Sequence, residues 1–221
     1  DCIYCECGWN KDGKKDTTLP TKEEVFEAMS TRLHELSAEG TPVDTITFSG
    51  NGEPTMHPAF AQIIDFTLQL RDKLYPSAKV SVLTNASQLG KKEVRDALQK
   101  IDNPILKIDS PLEHLVEIIN IPNAAYKLKD AIENIKLFNH NFILQTMFLK
   151  GVENGVEIDC TCREHVEAWQ NLVRELAPRE VMMYTIDRET PAKNLQKVSV
   201  EEMEAIAAPL VNEGFKIQIR G

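Results

Sequence analysis

The sequence predicts an α/β fold in which parallel strands alternate with helices. Short apolar runs and amphipathic segments follow one another along all 221 residues, at steps of roughly 26–38 residues, as βαβ units require. Hydrophobic residues make up 42% of the chain and are spread from end to end, which is enough for a sizeable core. The alternation alone does not separate a closed barrel from an open, doubly wound sheet.

The order of the elements follows from the hydrophobic pattern. Apolar runs bounded by turn residues predict strands at residues 43–50, 79–85, 105–109, 142–149, 181–186 and 215–219. Apolar positions at helical spacing predict helices at residues 58–75, 91–101 and 128–138, and three more that begin at Thr21, Thr161 and Ser199. Each of these three residues precedes a glutamate with capping-box spacing. The longest stretches without a predicted element are residues 6–20, 151–160 and 187–198.

Composition narrows the class of protein. Acidic residues outnumber basic ones by 34 to 25, and the net charge of −9 argues against nucleic acid as the main partner. No run approaches ~18 consecutive apolar residues, so we expect no transmembrane helix. The five cysteines fall in two places, which indicates metal or redox chemistry rather than a disulfide framework, and we expect a cytoplasmic protein. These cysteines are Cys2, Cys5, Cys7, Cys160 and Cys162.

Five successive strands carry polar residues at or near their C-terminal ends, the edge at which parallel α/β folds bind ligands. Any one of these residues could be only a turn former or a helix cap. Together they predict a shared site made of Gly50, Asn51, Gly52, Glu53, Thr84, Asn85, Asp109, Ser110, Gln145 and Tyr184, with Asp187 and Arg188 just beyond.

Residues 50–53 are the most informative of these strand ends. Two glycines let the backbone approach a ligand, and Glu53 stands before the stiff Pro54. Free N–H groups beside a carboxylate suit an amino-acid-like ligand, whose ends carry opposite charges. The alternative is a tight strand-to-helix turn, while a phosphate loop is disfavoured because no G-K-[ST] follows.

The N-terminal cysteines leave several interpretations open. Cys2 and Cys5 have C-x-x-C spacing and Cys7 follows, which fits half of a zinc site, part of an iron–sulfur site or a redox pair. No second C-x-x-C completes a structural zinc site. Cys160 and Cys162 flank the expected helix start at Thr161, where the helix dipole could lower the pKa of a thiol.

Three segments resemble motifs of the radical S-adenosylmethionine (radical SAM) superfamily. Cys2, Tyr4 and Cys5 match the last three fixed positions of its cluster motif, C-x₃-C-x-Φ-C, in which Φ is aromatic. SGNGEP at residues 49–54 resembles its G-G-E-P motif, and LTNAS at residues 83–87 resembles its T-N-G strand end. Residues 143–151 and 184–199 resemble the Fe–S oxidoreductase branch related to tRNA wyosine synthetases, so the resemblance spans essentially the whole chain.

The resemblance implies a partial (β/α)₆ TIM-like barrel with parallel strands. The family's first motif cysteine and first strand would both precede Cys2. We therefore expect residues 1–221 to form a single radical SAM core domain that is shortened at its N-terminus and lacks the first strand. Because one of three cluster thiolates is then missing, this chain is expected to bind the cluster weakly.

The resemblance also implies the cofactors and the roles of the site residues. A [4Fe–4S] cluster would bind S-adenosylmethionine (SAM) through its open iron, and reductive cleavage would yield a 5′-deoxyadenosyl radical for hydrogen abstraction. Metal ligands would be Cys2 and Cys5. Tyr4 would pack near the cluster and adenine, residues 50–53 would hold the methionine amino group, and Tyr184 would lie on the strand that meets adenine. Weaker expectations are cofactor or substrate contacts from Thr84, Asn85, Asp109, Ser110 and Gln145, and catalytic roles for Asp187 and Arg188.

The resemblance leaves the substrate undetermined among small molecules, peptides and RNA. It implies a low-potential electron donor such as ferredoxin or flavodoxin, and no membrane partner. A glycyl-radical activase is one further possibility. The alternative from another class is a non-catalytic α/β domain that binds zinc through Cys2, Cys5 and Cys7.

Overall fold

The computed structural model describes residues 1–9, 19–50 and 52–221. The strands in these ranges are β1 (Thr45–Phe48), β2 (Lys79–Thr84), β3 (Asn103–Lys107), β4 (Ile143–Met147), β5 (Leu149–Glu153), β6 (Val156–Asp159), β7 (Glu180–Tyr184), β8 (Leu195–Lys197) and β9 (Ile217–Arg220). The helices are α1 (Lys22–Ala38), α2 (Phe60–Leu74), α3 (Lys92–Lys100), α4 (Glu113–Asn120), α5 (Leu128–Lys136), α6 (Arg163–Leu176) and α7 (Val200–Asn212).

Six of these strands form a parallel sheet, in the order β1-β2-β3-β4-β7-β9. The parallel sheet and its helices match the partial TIM-like barrel fold, so the predicted fold class is confirmed. All six predicted strands and all six predicted helices are present, with boundaries that shift by a few residues. None of the described helices combines the length and hydrophobicity that a bilayer-spanning helix requires.

A three-stranded antiparallel sheet, in the order β6-β5-β8, occupies stretches for which the sequence predicted no elements. The strand expected at residues 142–149 is interrupted at Phe148, where the chain leaves the parallel sheet and enters the antiparallel one. Asn154 and Gly155, both at positive φ, form the two-residue turn between β5 and β6. Asn-Gly is a strong hairpin signal, so the sequence did contain a pointer to these strands. The strands themselves are short and partly exposed, which is why no apolar run marked them.

The helix caps are confirmed at two of three predicted places. Thr21 and Ser199 form complete capping boxes at the starts of α1 and α7. The third expectation is wrong, because α6 begins at Arg163 with Cys162 as its N-cap. The hydroxyl of Thr161 instead donates to Asp159 Oδ1 at 2.7 Å, since the nearer carboxylate is a stronger acceptor.

The chain divides into two compact units, which are described separately. One comprises Lys15–Ile105 and holds α1 to α3 around fully buried aliphatic side chains of α2 and β2 such as Ile64 and Val80. The other comprises Asp1–Lys14 and Leu106–Gly221. Its largest fully buried side chain is Trp169, whose indole N–H donates to Thr146 Oγ1 at 3.1 Å.

Candidate active site

The N-terminal loop carries the two motif cysteines and is anchored by the residue after the first of them. Ile3 is fully buried, its N–H donates to the carbonyl of Ile119 at 2.9 Å, and its carbonyl accepts from the N–H of Ala192 at 3.1 Å. The N–H of Cys5 donates to the carbonyl of Cys2 at 3.0 Å, which closes a turn. Cys2 and Cys5 are both half-buried. The loop therefore presents two thiols from a single turn, and the backbone of Ile3 within that turn is hydrogen-bonded through both its N–H and its carbonyl.

Tyr4 ties this turn to the end of β3. Its hydroxyl donates to Asp109 Oδ2 at 2.5 Å and accepts a hydrogen bond from the Lys107 ammonium. The Lys107 Nζ also lies 4.4 Å from the centroid of the Tyr4 ring and 5.5 Å from that of Tyr184. The cation is thereby stabilised by two π systems as well as by the carboxylate.

Burial and charge set the protonation states of Lys107, Tyr4 and Tyr184. Burial by itself would lower the pKa of Lys107, but Asp109, Tyr184 and Cys2 together outweigh it, and the pKa is raised above its ordinary value. Burial, reinforced by the charge of Asp109, raises the pKa of Tyr4 well above its ordinary value. Burial also raises the pKa of Tyr184 to about 12, against the opposing charge of Lys107. At neutral pH the site therefore holds a lysine cation and two neutral phenols.

The Asp109 carboxylate is committed to contacts within the protein. Besides Tyr4 it accepts from Asn120 Nδ2 at 2.5 Å, from the Met147 N–H at 3.1 Å through Oδ1, and it lies 3.6 Å from Lys107 Nζ. The residue is only 2% exposed. Its observed role is therefore to hold the cysteine loop, and the expected contact to a cofactor or substrate stays a prediction.

Ser110 and Gln145 lie nearby in the same unit. Ser110 is buried, and its hydroxyl oxygen accepts from the N–H of Leu112 at 3.0 Å, as a turn residue does. Gln145 faces Met182 in the β4–β7 register, and its carbonyl accepts from the Ile108 N–H at 3.1 Å. Their predicted contacts to a ligand remain predictions.

A cavity of about 370 Å³ adjoins the cysteine loop, and Tyr4, Met147, Tyr184, Asp187, Arg188 and Arg220 are among the residues that line it. Sites for small molecules have volumes of about 300–1,000 Å³, so the cavity is large enough to be one. Both candidate catalytic residues are exposed at its wall. Arg188 donates to Glu6 at 2.7 Å, and Asp187 lies 3.7 Å from Lys197 Nζ. The structure thus brings Tyr4, Tyr184 and both candidates to one cavity.

The other compact unit contains the glycine-flanked glutamate. Gly50 and Gly52 have φ of 125° and 116°, which favour glycine, while Asn51 lies outside the described residues. Glu53 precedes a 3₁₀ turn at Pro54–Met56. Glu53 Oε1 accepts from the N–H of Thr55 at 3.1 Å and from its hydroxyl at 2.5 Å. The carboxylate therefore acts as the N-cap of the turn that follows the strand.

The same carboxylate joins the ends of β1 and β2. The Thr84 hydroxyl donates to Glu53 Oε1 at 2.6 Å, and the N–H of Asn85 donates to Oε2 at 2.7 Å. Ala86 stands at φ 62°, a conformation that suits the glycine of the family motif better than alanine. The structure thus brings Glu53, Thr84 and Asn85 together, as the sequence predicted. Asn85, whose N–H donates to Glu53 Oε2, is exposed.

The donor set decides between the metal sites that the cysteines could form. Within the residues that the structure describes, no three His, Cys, Asp or Glu side chains converge as a metal site. A zinc site built from Cys2, Cys5 and Cys7 is therefore not preformed, and the zinc alternative is not favoured. Two thiols on one turn, with the amide of Asn120 3.4 Å from Cys2 Sγ, fit two ligands of an iron–sulfur cluster with an outer hydrogen-bond donor.

The second pair of cysteines differs in its surroundings. Cys160 is fully buried, and burial raises the pKa of its thiol to about 12, so a lowering by the helix dipole does not apply to this residue. Its N–H donates to the carbonyl of Leu149, so Cys160 directly follows β6 and is still paired with β5. Cys162 is half-buried at the N-cap of α6.

Sequence reasoning missed two residues of the site. Lys107 lies two positions before Asp109 at a strand end, and this same-face spacing was the available signal. Asn120 ends α4, a helix that was not predicted, although Leu115, Val116 and Ile119 have the apolar spacing of one helical face.

Several solved structures share the fold of this chain. SuiB of Streptococcus suis, solved with bound S-adenosylmethionine, superposes with a TM-score of 0.67 at 14% identity, over 100% of this chain and 47% of SuiB. The enzyme anSMEcpe with bound AdoMet gives a TM-score of 0.62 at 17% identity, over 99% of this chain and 59% of its own. A domain of pyruvate-formate lyase-activating enzyme from Bacteroides vulgatus gives a TM-score of 0.56 at 18% identity, over 80% of this chain and 98% of that domain. At these identities the likeness shows the fold.

Sequence relatives match most of this chain but carry names that do not define an activity for it. No family model matches the chain. It is 26% identical over 208 residues to a protein named GTPase Obg from Brachyspira hyodysenteriae, and 25% and 28% identical to UPF0026 proteins of Methanocaldococcus jannaschii and Synechocystis. These matches cover 92%, 94% and 89% of this chain but 28%, 62% and 68% of the relatives. The chain therefore spans less than two thirds of the first two relatives.

Proposed function

We propose that this chain is the core of a radical SAM enzyme in which Cys2 and Cys5 hold a [4Fe–4S] cluster. The observation that carries the proposal is the cysteine turn, fixed by Ile3 and Tyr4, in a fold shared with enzymes that were solved with AdoMet. When bound, the cluster and SAM would supply an electron and a 5′-deoxyadenosyl radical that takes a hydrogen atom from the substrate.

The chain's own residues position and shield this chemistry. Tyr4 and Asp109 keep the two thiols on a rigid turn, and the neutral phenols of Tyr4 and Tyr184 give the adjoining cavity an aromatic wall. Aromatic walls suit an adenine ring and exclude water from a reactive radical. Glu53 is proposed to hold the methionine amino group of SAM, because a carboxylate attracts an ammonium group.

We propose a peptide as the substrate class. SuiB was solved with its precursor peptide, and anSMEcpe with AdoMet and a peptide, which supports a peptide here by analogy. The net charge of −9 disfavours RNA, so the narrower kinship with tRNA wyosine synthetases is the weaker proposal. Electrons would come from a low-potential ferredoxin or flavodoxin, and the reducing cytoplasm is the compartment that suits thiolate ligands.

The test is anaerobic reconstitution of the full-length protein with iron and sulfide. We expect a brown protein that forms 5′-deoxyadenosine from SAM when a strong reductant is added, measured by liquid chromatography. Cys2→Ser and Cys5→Ser should each abolish cluster binding, while Cys7→Ser, which alters a cysteine outside the motif, should keep it. A colourless protein with stoichiometric zinc would refute the proposal.

The substrate class has its own measurement. Candidate peptides and transfer RNA are added separately to the reconstituted enzyme, and the rate of 5′-deoxyadenosine formation is recorded. We expect peptides to accelerate it and RNA to leave it unchanged. Acceleration by RNA alone would overturn the peptide proposal while leaving the enzyme class intact.

A further inference from the structure

The last residue of α4 contacts a sulfur atom of the cysteine turn. Asn120 Nδ2 lies 3.4 Å from Cys2 Sγ and 2.5 Å from Asp109 Oδ2. The Asp109 carboxylate is a pure acceptor, so the NH₂ end of the amide must face it, and the same nitrogen lies beside the sulfur. One N–H is then available for each partner, which makes Asn120 a bridge between the sulfur and the buried carboxylate.

The bridge is held rigidly. In α4, Leu115, Val116 and Ile119 are buried, and the carbonyl of Ile119 accepts from the N–H of Ile3 within the cysteine turn. The helix end and the turn are therefore joined at the backbone one residue before Asn120 and one residue after Cys2. An amide placed by two such anchors needs little rearrangement to keep its contact when the sulfur binds metal.

We propose that Asn120 is a positioning residue that donates an N–H···S hydrogen bond to the Cys2 ligand and raises the reduction potential of the cluster. The inference rests on the proposed function. Hydrogen bonds to ligand sulfurs stabilise the more negative, reduced cluster and so help set its potential. The second N–H, bound to Asp109, fixes the amide so that it does not turn away to solvent.

The chain offers a set of variants that separates this role from packing. Asn120→Ala removes both N–H donors, and Asn120→Asp keeps the shape of the side chain but replaces the donor with an acceptor beside Asp109. Asn120→Gln retains the amide on a longer stem. Asn123→Ala is the matched control, because Asn123 lies in the loop after α4 and its side chain accepts a local hydrogen bond from the N–H of Ala125.

The experiment measures the reduction potential of the reconstituted full-length protein by a redox titration followed by electron paramagnetic resonance. The potential of Asn120→Ala should be more negative than that of the wild type and that of Asn120→Asp more negative still. Asn120→Gln should recover part of the difference, and Asn123→Ala should match the wild type. The concentration of an iron chelator that strips half of the cluster should fall about 10-fold or more in Asn120→Ala.

Several outcomes decide the matter. Equal reduction potentials in the wild type and Asn120→Asp would overturn the inference, provided that iron content and the melting temperature of the apoprotein are also equal. Because Asn120→Asp keeps the shape of the side chain, this comparison holds even if Asn120→Ala folds poorly. A wild-type protein that holds a cluster without cleaving SAM would reject the proposed function, and the shift in potential would still decide the role of Asn120. A wild-type protein that builds no cluster would reject both.

Discussion

The buried carboxylate of Asp109 is the charge on which the cysteine turn depends, so its replacement by the isosteric amide is an informative perturbation. Asp109→Asn keeps an oxygen for the Met147 N–H, but it turns an NH₂ group toward two donors, the Tyr4 hydroxyl and the Asn120 amide. It also leaves Lys107 without its carboxylate partner, which lies 3.6 Å away. The change therefore removes the oxygen that accepts two hydrogen bonds, together with one counter-charge, at a site that is 2% exposed.

The size of the effect follows from these losses. Breaking a buried ion pair by removing one partner costs about 3–5 kcal/mol, mainly because the remaining charge is left unpaired. The Lys107 side chain is 18% exposed and can turn partly toward solvent, so we expect a loss near the lower end, about 3 kcal/mol. Lys107→Met in the same protein removes the unpaired cation and should restore about 1–3 kcal/mol of the free energy of unfolding.

The measurement is urea unfolding of the apoprotein, followed by circular dichroism, for the wild type, both single variants and the double variant. The midpoint should fall in Asp109→Asn without a change in the slope of the free energy with urea, and the double variant should be more stable than Asp109→Asn alone. A loss below about 1 kcal/mol, or a double variant whose loss equals the sum of the single losses, would show that Asp109 and Lys107 are not coupled.

Three further predictions concern the unit that contains the cysteine turn. His165 is fully buried without a well-formed hydrogen bond to either ring nitrogen among the described residues, and burial lowers its pKa to about 4. Between pH ~6.5 and ~4 the unfolded chain then binds more protons than the folded chain, so the free energy of unfolding should fall with decreasing pH in that window by on the order of 3 kcal/mol. Urea unfolding should show that His165→Phe removes this pH dependence. An unchanged pH dependence in the variant would contradict the lowered pKa of His165. A Cβ on Gly151, at φ +147°, would lie 2.2 Å from the carbonyl oxygen of Asn194. Gly151→Ala should therefore lower the melting temperature more than Gly155→Ala does. Gly155 has φ of +79° and open space around it, so an alanine there costs only backbone strain of about 1–2 kcal/mol. Equal melting temperatures of the two variants would refute the clash. Cys160 should resist alkylation by iodoacetamide at pH 8 until the protein is unfolded, as mass spectrometry of labelled peptides can check, and rapid labelling in the folded protein would show that its burial is transient.

The sequence was most informative where the signal is local. The hydrophobic periodicities at residues 60–74 and 79–84 belong to single elements, and both α2 and β2 form there. The polar strand ends were also readable, and Glu53, Thr84 and Asn85 do meet. The antiparallel sheet was missed because its strands are three to five residues long and half-exposed, and its one local signal, the Asn-Gly turn, was not used.

The candidate site shows where sequence reasoning ends. The contacts of Asp109 include a tyrosine 105 positions away in the chain, and no local pattern in the sequence could indicate that pairing. Cys160 lies beside a helix start in the sequence, yet it is buried directly after β6, so burial rather than the helix dipole sets its pKa.

The sequence by itself determined the order of the six parallel strands and of six helices, and the spacing of the cysteine motif, because hydrophobic period, caps and motif spacing act within a few residues of each other. Only the tertiary structure decided which groups surround the cysteines. Cys2 and Asn120 are separated by 118 positions, and Tyr4 and Lys107 by 103. Such contacts depend on how the folded elements pack, and packing leaves no periodic trace in the chain.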